Sequence, residues 1–151
     1  MKKQFLVLFA LLLGFSMVPG VNAQRNVTPA VERDPVMESD ASHNLDVARQ
    51  AYSPLKKAYK QVLSRFEETY AAYPDFSKMD EFLYLAGMSS YYLSENKGKQ
   101  KVDLKSDKEK DKFDPAKLRE DAKTYLALVV KKYPQSKYVD ESQKTLKLLG
   151  Q

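Results

Sequence analysis

The chain has 151 residues with no cysteine, no tryptophan and a single histidine, and its formal charge is +5. The lack of thiols excludes disulfides, thiolate catalysis, cysteine metal sites and a lipid-modified cysteine within this sequence. The excess of base is small and interleaved with 20 acids, which argues against a nucleic-acid surface.

Met1-Lys2-Lys3 is a positive start, and Gln4 to Val18 follows without a charge. Pro19-Gly20 breaks any helix, and Val21-Asn22-Ala23 is a small-residue cleavage pattern. Residues 1–23 are therefore read as a secretory signal peptide cut after Ala23, carrying the chain across the inner membrane. The apolar run from Phe5 to Val18 is 14 residues, short of the ~20 that span a bilayer. Loss of Lys2 and Lys3 lowers the charge to about +3.

Residues 24–41 hold two prolines and several acids without apolar periodicity, the composition of a flexible leader. From Ser42 to the end, residues 42–151, the pattern is helical, and the expected fold class is all-α. A first helix over 42–53 places Leu45, Ala48 and Tyr52 on one stripe. Pro54 then opens a second helix at its first position or kinks a continuous one. The second helix, 54–73, shows Leu55, Ala58, Tyr59, Val62, Leu63, Phe66, Tyr70 and Tyr73 at spacings of three and four. Proline at 74 ends it by pushing Tyr73 out of the α region.

A third helix over 78–95 starts on an approximate capping box from Ser77, with Phe82, Leu83, Leu85, Ala86, Ser89, Tyr92 and Leu93 as its face. Asp114-Pro115 opens a fourth over 115–133, with a carboxylate cap and proline in the first turn. A fifth, 137–149, ends on Gly150 as a C-cap. Between the third and fourth helices, a lysine-rich insertion spans 96–114. Its Asn96 to Lys112 stretch holds seven lysines and four acids. A connection this long is a solvated spacer or a dedicated binding loop for an anionic surface.

No catalytic constellation can be assembled. His43 stands alone without ligand spacing or a paired base; there is no Gly-x-Ser-x-Gly elbow and no phosphate-binding glycine loop. Asp80-Glu81 and Asp140-Glu141 are repeated carboxylate pairs, but they fall at helix starts, where acids favour the N-terminal dipole. No enzyme activity, cofactor or metal is expected.

The strongest signal is self-similarity. Tyr73-Pro74-Asp75-Phe76-Ser77-Lys78-Met79-Asp80-Glu81 recurs 60 positions later as Tyr133-Pro134-Gln135-Ser136-Lys137-Tyr138-Val139-Asp140-Glu141, with Tyr, Pro, Asp and Glu retained. Each copy joins one long amphipathic helix to the next by the same short turn. This resembles the tetratricopeptide repeat, in the form carried by outer-membrane β-barrel assembly lipoproteins and related periplasmic coordinator proteins. Leu85-Ala86-Gly87 followed by Tyr91-Tyr92 fits the same pattern. The resemblance covers roughly Leu45 to Leu149 and departs in lacking the lipobox cysteine and in having fewer repeats. It implies antiparallel helical hairpins, about two and a half repeats, the second of them split by the insertion.

A repeat stack offers a groove for an extended peptide or a partner helix. The expected function is a periplasmic or envelope protein–protein adaptor, for which the resemblance implies a setting in outer-membrane protein assembly, with no nucleic-acid partner. Tyr84, Met88 and Tyr91 fall off the core stripe of the third helix and are candidate partner contacts, tyrosine being a frequent binding hot spot. The alternative is an envelope-surface or cell-wall protein whose Lys97, Lys99 and Lys101 contact anionic lipid or polymer. A stack this short leaves an open end through which a homodimer is plausible.

Overall fold

The computed structural model describes residues 32–103 and 105–150. The expected signal peptide and residues 24–31 of the expected leader lie outside that range. The described residues are all-α and form stacked antiparallel hairpins of tetratricopeptide type, in the order α1 Pro35–Tyr52, α2 Tyr59–Ala72, α3 Met79–Ser94, α4 Asp107–Lys112, α5 Pro115–Lys132 and α6 Val139–Leu148.

Helix α1 corrects the expected leader, because residues 35–41 are helical. One part of the reason is local and repeats at Asp114-Pro115. The Asp34 carboxylate accepts from the amides of Val36 (2.8 Å) and Met37 (3.3 Å), with proline filling a first-turn position that needs no donor. Ala41 is the first residue of the buried stripe Ala41, Leu45, Ala48 and Ala51; its small side chain gives almost no hydropathic signal. The Glu38 carboxylate accepts from the Ser77 amide at 3.2 Å, and Arg33 Nε donates to the Asp75 carbonyl at 3.1 Å. Both contacts tie the start of α1 to the turn between α2 and α3.

Pro54 neither opens the second helix nor kinks a continuous one. Residues 53–58 form a turn in which the Ala58 amide reaches back to the Ala51 carbonyl (2.8 Å) and Lys57 has φ 45°. Leu55, expected on the apolar face, lies at the tip and is 82% exposed. Helix α2 starts at Tyr59 and buries Tyr59, Val62, Leu63, Phe66 and Thr69.

The two Tyr-Pro turns are alike bond for bond. The Tyr73 amide binds the Thr69 carbonyl (2.7 Å) and the Tyr133 amide the Val129 carbonyl (3.0 Å). Phe76 returns to Tyr73 (3.3 Å) as Ser136 does to Tyr133 (2.9 Å), and Met79 to Phe76 (3.1 Å) as Val139 to Ser136 (3.2 Å). The sequence repeat is thus a structural one. The capping box expected from Ser77 does not form, since Lys78 holds the N-cap position without a side-chain bond.

Helix α3 is the central element, packed against α1, α2 and α5 and touched by α6 through Met88 and Tyr84. Ten of its 16 residues are buried. Gly87 lets α5 approach, because a Cβ there would sit 2.7 Å from Leu126 Cγ. Around Phe66 the core is aromatic, with Tyr125 at 4.8 Å, Tyr70 at 5.2 Å and Phe82 at 5.7 Å between ring centroids.

The lysine-rich insertion is folded back onto α2 instead of standing free. Glu109 accepts from Lys60 Nζ and from the Asp103 amide, both at 2.7 Å, and Lys112 pairs with Glu67 at 2.6 Å. Phe113 is buried, with the Lys60 ammonium 5.4 Å above its ring. One apolar anchor and two ion pairs from a segment of mixed charge hold the fifth helix, α5, in hairpin with α3.

Candidate functional site: the tyrosine groove of the first helices

In each hairpin, one helix lies on the side lined by α1, α3 and α6. Adjacent members of this row are joined by polar contacts. Arg49 of α1 donates to both Glu81 carboxylate oxygens of α3, each at 2.6 Å, and also reaches Asp46 at 2.7 Å. The bidentate geometry holds the Glu81 carboxyl below the usual carboxylate range, chiefly through the guanidinium hydrogen bonds. On the α3–α6 side, Tyr84 stacks on Tyr138 at 4.5 Å, and Ser136 Oγ donates to Asp80 at 2.6 Å. The first-turn acids Asp80 and Glu81 therefore also tie one repeat to the next.

Towards the C-terminal ends of α1 and α3, phenol rings gather. Tyr59 lies 5.7 Å from Tyr52 and 5.2 Å from Tyr92, Tyr52 and Tyr92 are 6.3 Å apart, and Tyr91 adds a fourth ring 5.6 Å from Tyr92. A groove of about 400 Å³ opens beside them, lined by Tyr52, Pro54, Lys57, Tyr59, Tyr92, Lys97 and Gly98. Lys97 Nζ stands 5.6 Å from the Tyr91 centroid and 5.9 Å from that of Tyr92. The floor is fixed by Gly98, whose φ of 116° suits glycine and whose missing Cβ would fall 2.8 Å from the Tyr59 ring. The Lys99 amide donates to the Lys57 carbonyl at 3.1 Å, pinning the segment after α3 to the turn after α1.

Burial, with smaller contributions from neighbouring phenols, pushes the Tyr52 and Tyr59 hydroxyls above the ordinary phenol value. Tyr84 is pushed up to about 12 by burial and then by Glu141. These side chains are neutral at physiological pH and combine apolar rings with hydroxyls that donate and accept. With lysines at the rim, the surface is suited to gripping a peptide.

The structure divides the expected partner residues. Lys97 lines the groove, Tyr91 lies beside Lys97 and Tyr92 but lines a neighbouring cavity with Glu95 and Arg119, and Lys97, Lys99 and Lys101 are exposed. Tyr84 is half-buried under Tyr138. Met88 must be corrected: it is 3% exposed and lies against Thr145, whose hydroxyl donates to its sulfur at 3.5 Å. Helix α3 is enclosed by neighbours, so the stripe opposite its main apolar face is a second packing face. Of the groove residues only Lys97 was expected; sequence reasoning placed Tyr52, Tyr59 and Tyr92 on core stripes and missed Pro54, Lys57 and Gly98. The signal available was Gly98 just past a helix end, but its partner turn lies some 40 positions earlier and no local pattern joins them.

Stacked hairpins with a shared turn and a row of first helices presenting tyrosine define a tetratricopeptide-like repeat protein. The YfiO family, described as outer membrane lipoprotein, matches residues 21–151, and the chain belongs to this family. No curated protein and no solved structure matches it. Membership places the chain among proteins of the outer cell envelope. Among the described residues no helix is long and apolar enough to cross a membrane.

Proposed function

We propose that this protein is an envelope adaptor of tetratricopeptide type, acting from the periplasmic side in outer-membrane protein assembly. It binds a segment of a partner protein in the groove formed by Tyr52, Tyr59 and Tyr92. The observation that carries the reading is the phenol cluster itself, a set of rigid amphipathic rings flanked by Lys57 and Lys97. Such rings bury large area at low entropic cost and are common anchors at interfaces. Membership in an outer membrane lipoprotein family supports the setting. In this reading the protein performs no covalent chemistry; the groove offers phenols and ammonium groups and positions no general base beside a nucleophile.

The competing reading is contact with anionic lipid or cell-wall polymer through the exposed Lys97, Lys99 and Lys101. It is weakened by the acids that follow these lysines, Asp103, Asp107, Glu109 and Asp111, and by the ion pairs that bind Lys112 and Glu109 to α2.

The test is photo-crosslinking in intact cells with benzoyl-phenylalanine placed at Lys97, with a control at the exposed Ala71 of α2. The expected result is a discrete protein adduct at position 97, absent at 71 and lost in Tyr92→Ala, that mass spectrometry assigns to an outer-membrane assembly component. The same adducts at both positions, or none at either, would refute the adaptor. Adducts to lipid or glycan alone would favour the competing reading.

A further inference from the structure

The internal repeat exposes a second surface, separate from the tyrosine groove. Helices α2 and α3 form a groove that α5 fills. Its walls are Phe66 and Tyr70 on one side and Leu83, Ala86 and Gly87 on the other, with Tyr125 4.8 Å from Phe66 and Leu126 pressed on Gly87. Sixty positions later, α5 and α6 form the equivalent groove, with Val130 replacing Tyr70 and Gln143, Leu146 and Lys147 replacing Leu83, Ala86 and Gly87. Leu83, Ala86 and Gly87 are buried, whereas Gln143 and Lys147 are exposed and Leu146 is half-buried. A cavity of about 420 Å³ occupies the place that α5 takes in the first copy, lined by Ala127, Val130, Lys131, Gln143, Leu146 and Lys147.

Two differences from the filled copy describe the occupant. Lysine at 147, where α3 has glycine, forbids the close approach that α5 makes. Each wall also carries one ammonium group, Lys131 on α5 and Lys147 on α6, and no carboxylate lines the groove. An apolar floor of Ala127, Val130 and Leu146 between two cationic edges is complementary to a helix with a narrow apolar stripe bordered by acids.

We infer that the groove between α5 and α6 is a docking site for an acidic amphipathic helix of a partner protein, which continues the stack as α5 continues it over α2 and α3.

The test uses the full chain and two fluorescent 18-residue peptides copied from residues 115–132. Both keep Leu118, Ala122, Tyr125, Leu126 and Val129, and their charged positions are all glutamate in one and all lysine in the other. Anisotropy titration should give the acidic peptide at least tenfold tighter binding. Leu146→Glu should remove that binding, and Lys131→Glu with Lys147→Glu should reverse the preference. The lysine pair is exposed, so the double variant keeps its fold, and circular dichroism verifies this for both variants. Equal binding of the two peptides, no binding of either, or binding that survives Leu146→Glu would overturn the proposal. So would sedimentation velocity showing a self-dimer dissolved by Leu146→Glu, which would give the groove to a second copy.

Discussion

Replacing Gly87 with alanine places a methyl group where the α3–α5 crossing has no room. The added Cβ would lie 2.7 Å from Leu126 Cγ and 2.8 Å from Leu126 Cδ2, with the Leu126 backbone nitrogen at 3.4 Å. Cγ is the branch point of a side chain that is 0% exposed, so it cannot swing into solvent, and the two helices must separate. Overpacking of this kind costs about 1–3 kcal/mol. Against it stands the gain of about 1 kcal/mol from removing a mid-helix glycine. The net expectation is a loss of roughly 1–2 kcal/mol, since the contact is nearly 1 Å inside ordinary van der Waals separation. Urea unfolding followed by circular dichroism measures it, with the midpoint falling by about 0.5–1 M for a typical slope. The mechanism has a sharper consequence. In a Leu126→Ala background the obstruction is gone, and Gly87→Ala should become stabilising by about 1 kcal/mol. The double-mutant cycle should therefore show a coupling of about 2–3 kcal/mol. If Gly87→Ala lowers stability equally in both backgrounds, the close approach of α5 is not what the glycine serves.

Phe66→Ala removes the ring shared by α2, α3 and α5, 1% exposed and in contact with Tyr70, Phe82 and Tyr125. It should cost about 3–5 kcal/mol in the same assay, and a loss below 1 kcal/mol would contradict its central place. Arg49→Ala should cost about 1 kcal/mol at neutral pH, the value of a partly exposed bidentate pair. Glu81 has a folded pKa below its ordinary value, so this stability is fully present above the ordinary glutamate range and is lost as pH falls through the lowered folded value. Denaturation of wild type and Arg49→Ala across acid pH should show the difference shrinking in that window; a difference unchanged well below it would mean the pair does not carry the effect.

Much of the fold is legible locally because its determinants are local. Proline at 74 and 134 forces the preceding tyrosine out of the α region, and 3.6-residue periodicity marks α2, α3 and α5 within two residues at most boundaries other than the start of α2. Failures occurred where the deciding group lies elsewhere. The early start of α1 rests on a weakly apolar alanine stripe and on tethers from Glu38 and Arg33 to residues some 40 positions on. Pro54 has two locally allowed outcomes, and the choice of a turn is made by the Ala58 to Ala51 bond and by docking of the segment around Gly98. Met88 reads as a surface residue on an isolated α3 and becomes interior only when α6 covers it.

The amino-acid sequence by itself determined that this is an all-α repeat protein, where its two Tyr-Pro turns fall, and that no thiol or paired histidine is present to support chemistry. Those properties follow from backbone restriction, periodicity and composition, which act over a few residues. Tertiary structure alone decided which tyrosines meet in a groove, that the lysine-rich insertion folds onto α2, and which of two equivalent grooves is filled. Each depends on side chains brought together from distant positions, where burial and charge pairing, with no local signature, select the arrangement.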